Sequence, residues 1–260
     1  MVYEYLAGTT PLLVNVPHAG LNVPERIEAR LAPPIRSLPD TDWHVHRLVE
    51  QAPAFGACLL RALHSRYVID LNRGRDDQPL YAGPTTGLVP TEAFDGQPVY
   101  AGHPPDAAEI EDRIERYWQP YHDKLRQTLD GIRERHGHAL LFDVHSIRSR
   151  VPRLFEGRLP DLNLGTNDGA SCDPELGQTV ADVLDKARGF SHVVDGRFKG
   201  GYITRHYGQP EKGIHALQLE IAQACYMDQT DPSRWDAERA APLVSVLHDI
   251  IGRLTRWRPQ

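Results

Sequence analysis

Short apolar runs that stop abruptly at polar residues recur along this 260-residue chain. Pro11–Val16 is followed by Pro17-His18-Ala19-Gly20, Tyr67–Leu71 by Asn72-Arg73, and Ala139–Phe142 by Asp143-Val144-His145-Ser146. Runs of this length predict buried strands, and Ala57–Leu63, His192–Val194 and the alternating Gly213–Ile221 predict three more. Helical spacing fills the intervals. Over Asp106–Arg135 the residues Ile110, Ile114, Tyr117, Trp118, Tyr121, Leu125, Leu129 and Ile132 recur at three- and four-residue steps, with Pro120 expected to kink or split the helix. Pro174–Ala187, capped by Asp173, and Pro232–Trp257 are two further helices. A short helix is expected within 24–39, and Asp40 or Thr41 is placed to cap another through Val45, Leu48 and Val49. Two stretches lack periodicity: 78–105 reads as a lid-like excursion and 151–173 as a Pro/Gly-rich loop. Strands alternating with helices over the whole length predict one three-layer αβα domain spanning residues 1–260.

Composition narrows the function more than the fold. A formal charge of −6 leaves no basic excess for phosphate neutralisation, so nucleic acid is not an expected partner. No apolar run approaches the roughly 20 residues that span a bilayer, and the amino terminus lacks the basic and apolar segments of a signal peptide. Three scattered cysteines without a C-x-x-C pair argue against a disulfide scaffold or thiolate metal knot and fit a reducing, cytoplasmic setting. Thirteen histidines are an excess of the commonest metal-ligating and proton-transferring side chain.

The polar residues at strand ends carry the candidate chemistry, because ligands of open α/β sheets bind there. Asp143 and His145, two apart, leave their strand on one face. Together they suit a metal ligand and its orienting carboxylate, or a purely structural hydrogen-bonded pair. His18 after its strand repeats the arrangement, and a catalytic metal needs three such ligands with one position open; His18, His145 and one carboxylate meet that count. Glu220, set among apolar residues of a predicted strand, is expensive to bury without a purpose and is a natural general base. Arg73 suits capture of a carboxylate, or pairing with Asp76 or Asp77 in its loop. The chain has no phosphate-binding loop, dinucleotide fingerprint, G-x-S-x-G elbow or H-E-x-x-H pair. The residues alone therefore predict a metallohydrolase of small anionic substrates.

A series of longer motifs goes further: PHAG (17–20), LPDTDWHV (38–45), YVIDLNR (67–73), LLFDVHS (140–146), LNLGTNDGASCDP (162–174), FKGGYITRHYG (198–208) and GIHALQLEIAQACYM (213–227). In this order they resemble the N-formylglutamate amidohydrolase family. The resemblance implies hydrolysis of N-formyl-L-glutamate to formate and L-glutamate, the last step of a histidine degradation route. It also implies a mixed central sheet similar to that of zinc carboxypeptidases, and one divalent metal, zinc before iron, cobalt or manganese. By position, His18 and His145 resemble two metal ligands and Asp42 the third, with Asp40 as its rival. Asp143 becomes the partner of His145 or itself a ligand, and Glu220 the residue that activates water. From their chemistry, Arg73 and Arg205 are candidates for the two substrate carboxylates, assisted by Asn72 and Thr204. A deacylase or deformylase of another N-acyl amino acid, and a protein that binds such an acid without turnover, are the alternatives.

Overall fold

Seven strands form one mixed sheet: β1 (Tyr3–Leu6), β2 (Leu12–Val16), β3 (Cys58–Ala62), β4 (Ala139–Ile147), β5 (Leu162–Gly165), β6 (His192–Val194) and β7 (Ile214–Ala222), in the spatial order β1-β3-β2-β4-β7-β5-β6. The computed structural model describes residues 1–80 and 83–260; Tyr81 and Ala82, inside the predicted 78–105 excursion, lie outside the described residues. The central strands β3, β2, β4 and β7 run parallel, β1 pairs antiparallel with β3, and β5 pairs antiparallel with β7 and parallel with β6. The mixed α/β architecture expected from the sequence is therefore the one observed.

Both sheet faces are covered, as the uninterrupted burial of β2, β4 and β7 requires. One face is apolar along the full strands: Leu12, Val14, Val16, Leu140, Phe142, Val144, Leu217, Leu219 and Ile221 pack against three helices. These are α2 (Val45–Leu48), α5 (Pro174–Lys186) and α7 (Ala237–Leu254); α1 is the single turn Glu25–Glu28. The other face packs Leu13, Leu141 and Ala216 against Tyr121, Leu125, Leu129, Ile203 and Tyr207. Those residues belong to α4 (Gln119–His136) and α6 (Tyr202–Tyr207), which follow α3 (Ala107–Arg113) in the chain. Asp173 caps α5 as expected, accepting from the Glu175 amide.

Four local expectations change. Pro120 does not split its helix; a π-helical turn, Ile114–Trp118, joins α3 to α4, with the Gln119 amide bonded to Ile114 O. Pro120 supplies no N–H for the regular ladder, and the wider turn re-registers it. Tyr67–Leu71 is a chain of turns rather than a strand. Its backbone finds other partners: the buried Arg113 guanidinium donates to Val68 O (3.0 Å), and the Asp70 amide donates to Leu88 O (2.7 Å). Leu162–Gly165, read as part of a loop, is β5, short but hydrogen-bonded on both edges. Finally, neither Asp40 nor Thr41 caps α2, which starts at His44 with no side-chain cap. The Asp40 carboxylate instead accepts the Phe94 amide (2.7 Å), and that of Asp42 turns inward to histidine.

His122 on α4 ties these layers to the turn segment. Its Nε2–H donates to Leu71 O and its Nδ1 accepts from Tyr207 Oη, each at 2.9 Å, and its ring stacks on Trp118 at 3.8 Å. Burial pushes its pKa down to about 3, the bond to Leu71 opposing. The folded chain thus keeps this imidazole neutral where the unfolded chain, titrating near 6.5, takes up a proton. Stability contributed by His122 is complete above pH 6.5 and is lost as pH falls toward 3. Between pH 7 and pH 5 the loss is expected to be about 2 kcal/mol. Urea unfolding of wild type and His122→Gln across that range should show a shallower pH dependence in the variant; equal slopes would contradict the neutral buried state.

Candidate active site

The sheet face toward α4 and α6 changes character along its strands. Near the amino ends its cross-strand row is Leu13, Leu141 and Ala216; two residues on it is Asn15, Asp143 and Gln218; two further it is His145 beside Glu220. Residues two apart share a face, so register alone brings His145 and Glu220 side by side on neighbouring parallel strands. Asp143 and His145 lie inside β4 rather than past its end. His18 comes from the turn after β2. There the chain passes so close to the segment after β3 that a Cβ on Gly20 would stand 2.4 Å from His64 O. The Asp42 amide donates to His18 O (3.1 Å), which pins the 40–44 segment over the site.

The two imidazoles are held alike. The Nε2–H of His18 donates to Asp70 Oδ1 (2.8 Å) and that of His145 to Asp143 Oδ2 (2.9 Å). The Nδ1 atoms turn to one carboxylate, Asp42 Oδ2, at 3.9 Å from His18 and 3.1 Å from His145. One ligand atom from each of His18, Asp42 and His145 lies within 4.8 Å of the others, and all three residues are buried. Carboxylates on the far nitrogens are how proteins fix the tautomer and aim of metal-binding histidines. The donor set fits a divalent metal ion, with Asp40 outside it. Further carboxamide and guanidinium groups hold the carboxylates: Asn15 Nδ2 donates to Asp143 (2.7 Å) and Tyr121 Oη to Asn15 (2.7 Å), while Arg66 donates to Asp70 (2.6 Å).

Burial and mutual charge shift the ionisable groups of this pocket in different directions. Burial alone would lower the pKa of His145, but Asp143 and Asp42, bonded to its two nitrogens, raise it well above the ordinary value. His18 shifts the other way, lowered by burial and by Arg66. Asp70 resists its own burial because Arg66 and His18 hold it well below the usual carboxylate range. Burial pushes Glu220 up to about 8, His145 opposing and Asp42 adding to the rise. A carboxyl poised near neutrality is suited to exchanging a proton.

His18, Asp42, Arg66, His145 and Glu220 line one cleft that opens to solvent. Asn72 and Arg73 line it too. The Asn72 side chain accepts the Ile203 amide at Oδ1 (2.8 Å), which places its Nδ2 3.2 Å from His145 Nε2. Arg73 is braced by Thr86 O (2.8 Å), Asn72 O (2.9 Å) and the Thr85 hydroxyl (3.1 Å). Thr204 and Arg205 are not among the lining residues. Thr204 is a fully buried residue of α6, and Arg205 donates to Gly200 O (2.9 Å) and Leu80 O (3.2 Å). Sequence reasoning gave no role to Arg66, Asp70, Gln218 or Arg197, of which all but Asp70 line the cleft. Gln218 was within reach, two residues before Glu220 on the same strand; Arg197 sits in a loop where no periodicity marks it.

Gly201 shows how closely Asn72 is held. Its backbone, at φ −84° and ψ −165°, is open to any residue, yet a Cβ there would lie 2.2 Å from Asn72 Nδ2. Gly201→Ala is expected to displace the Asn72 amide and lower kcat/KM by roughly 10- to 100-fold. In Asn72→Ala background the same change should cost little more, and full additivity in this double-mutant cycle would argue against the contact.

A mixed α/β sheet that gathers two aimed imidazoles, a carboxylate and a buried glutamic acid in one cleft with a braced arginine is the build of a hydrolase with a place for a metal ion. The chain belongs to the N-formylglutamate amidohydrolase family, whose model matches residues 10–227. It is 50% identical over 257 residues to the N-formylglutamate deformylase of Pseudomonas putida, covering 98% of this chain and 96% of that protein. The N-formylglutamate deformylase of Pseudomonas aeruginosa is 48% identical, covering 98% of this chain and 97% of the relative. The crystal structure of N-formylglutamate amidohydrolase from Ralstonia eutropha JMP134 superposes with a TM-score of 0.85 at 28% identity, covering 98% of this chain and 97% of that one.

Proposed function

We propose that this protein hydrolyses N-formyl-L-glutamate to formate and L-glutamate with a divalent metal, zinc first, held by His18, Asp42 and His145. The observation that carries the reading is the convergence of these three ligand atoms beside Glu220 in a chain half identical to two deformylases. When bound there, the metal supplies Lewis-acid polarisation of the formyl carbonyl and lowers the pKa of water. Asp70 and Asp143 keep the two imidazoles aimed. Glu220 takes the proton of the attacking water on a carboxylate oxygen as the carbon–oxygen bond forms. It returns that proton to the amide nitrogen as the carbon–nitrogen bond breaks, releasing the amine of glutamate. Arg66, buried over the Phe94 ring at 4.6 Å, adds a fixed positive charge to the cleft where negative charge develops. Asn72 and Arg73 bind a substrate carboxylate.

The reading takes residues 1–260 as one catalytic domain. Pro84, Thr85, Thr86 and Phe94 line the cleft, which supports a lid role for the 78–105 stretch. The last step of a histidine degradation route is the place the family implies. The three cysteines are free thiols, which suits a cytoplasmic setting. Among the described residues no helix is long and apolar enough to cross a membrane.

Dialysis against a chelator, then metal analysis and an assay of the free amino acid released from N-formylglutamate, N-formylaspartate and N-acetylglutamate, with formate measured for the two formyl substrates, tests this directly. Formate release from N-formylglutamate that disappears with the metal and returns with zinc is expected. Undiminished turnover after complete metal removal would overturn the metal assignment, and preference for another acyl amino acid would overturn the substrate.

A further inference from the structure

N-Formylglutamate carries two carboxylates separated by the α-carbon and two methylenes, and Asn72 with Arg73 accounts for one in the reading above. Three arginines line the cleft among the described residues: Arg66, Arg73 and Arg197. Arg66 is committed to protein carboxylates, at 2.6 Å from Asp70 and 3.8 Å from Asp42. Arg73 follows Asn72, whose amide nitrogen stands 3.2 Å from His145. With Asn72 beside His145, Arg73 is the arginine that the proposal below assigns to the α-carboxylate, one carbon from the scissile nitrogen.

Arg197 is placed differently. Its Nε donates to Leu154 O (2.9 Å), and its guanidinium lies over the Phe198 ring, 5.3 Å from the centroid. Leu154 and Phe198 join Phe94 and Ile147 in a small apolar cluster, and all four line the cleft. The bond to Leu154 O and the Phe198 ring orient the guanidinium at the cleft lining, where its planar fork matches a carboxylate. The apolar side chains beside it suit the two side-chain methylenes of the substrate.

We propose that Arg197 binds the side-chain carboxylate of the substrate and determines specificity for a dicarboxylate, with Arg73 taking the α-carboxylate. This rests on the deformylase reading above. Arg205, the second arginine expected from its chemistry to bind a carboxylate, bonds to the carbonyls of Gly200 and Leu80 outside the lining.

The test compares kcat/KM for N-formyl-L-glutamate and for its neutral isostere N-formyl-L-glutamine in the metal-loaded wild type, Arg197→Met, Arg197→Lys and Arg205→Met. Wild type is expected to prefer the dicarboxylate by roughly 10²-fold or more. In Arg197→Met that ratio should approach one, chiefly through KM for N-formylglutamate, and Arg197→Lys should keep part of it. A role confined to holding Leu154 would lower both substrates together, so an unchanged ratio in Arg197→Met overturns the proposal. Collapse of the ratio in Arg205→Met with Arg197→Met unaffected overturns it as well. Absence of formate release from N-formylglutamate by wild type is a separate result, which overturns the deformylase reading itself.

Discussion

Glu220→Gln is expected to lower kcat by roughly 10²- to 10⁴-fold while metal content and KM stay close to wild type, the range a positioned acid–base group contributes. Glutamine keeps the volume and one acceptor oxygen but cannot take a proton from water or return one to nitrogen. The position is well prepared for that work. Glu220 lies on β7 directly beside His145 of β4, is 8% exposed within the cleft, and is pushed by burial to about 8. Burial favours the protonated form that serves the leaving nitrogen, and a cation on the adjoining ligands would favour the carboxylate that accepts the water's proton. Rapid-quench measurement of formate release alongside metal analysis separates loss of chemistry from loss of the site. Near-normal kcat in a metal-loaded Glu220→Gln protein would remove Glu220 from the mechanism.

His145→Ala should abolish metal retention, leaving background stoichiometry after gel filtration, and His18→Ala should do the same. Each removes one of three ligand atoms that converge at Asp42. His145→Ala also leaves Asp42 and Asp143 buried without the imidazole between them, so a fall in Tm should accompany the metal loss. Asp143→Asn is expected to weaken metal affinity by about 10- to 100-fold without erasing the site, as loss of an orienting partner does. Asp143 contacts Nε2 of His145, whereas Asp42 contacts Nδ1; on this geometry the two carboxylates do different jobs. Isothermal titration with zinc decides between them: no binding in Asp143→Asn, together with retained binding in Asp42→Asn, would make Asp143 the third ligand.

Much of this site was visible in the primary structure because its grammar is local. An apolar run closing on His18, another running into Asp143 and His145, and a glutamate in an otherwise apolar strand each break a pattern over a few residues. The amphipathic periods of α4, α5 and α7 are equally local, since a helix closes its hydrogen bonds within itself. Tyr67–Leu71 shows where such reading fails. Its apolar run is a good strand pattern, but Leu88 and the buried Arg113 took the backbone partners a strand would have used. The converse error at Leu162–Gly165 has the same origin, because four residues carry little pattern and β7 and β6 supply the pairing.

The sequence by itself determined the chemical types present, the strands and helices that carry them, and the family. It placed an imidazole after β2, an imidazole on β4 and a carboxyl on β7, because identity and spacing are properties of the chain. Which nitrogen of His145 faces which carboxylate, why Asp42 rather than Asp40 reaches the histidines, and that Arg197 rather than Arg205 lines the cleft were decided by the tertiary structure alone. Those facts depend on sheet register and on loops folded over its carboxyl ends, in contacts such as Asp42 with His145, 103 positions apart, that no local pattern encodes.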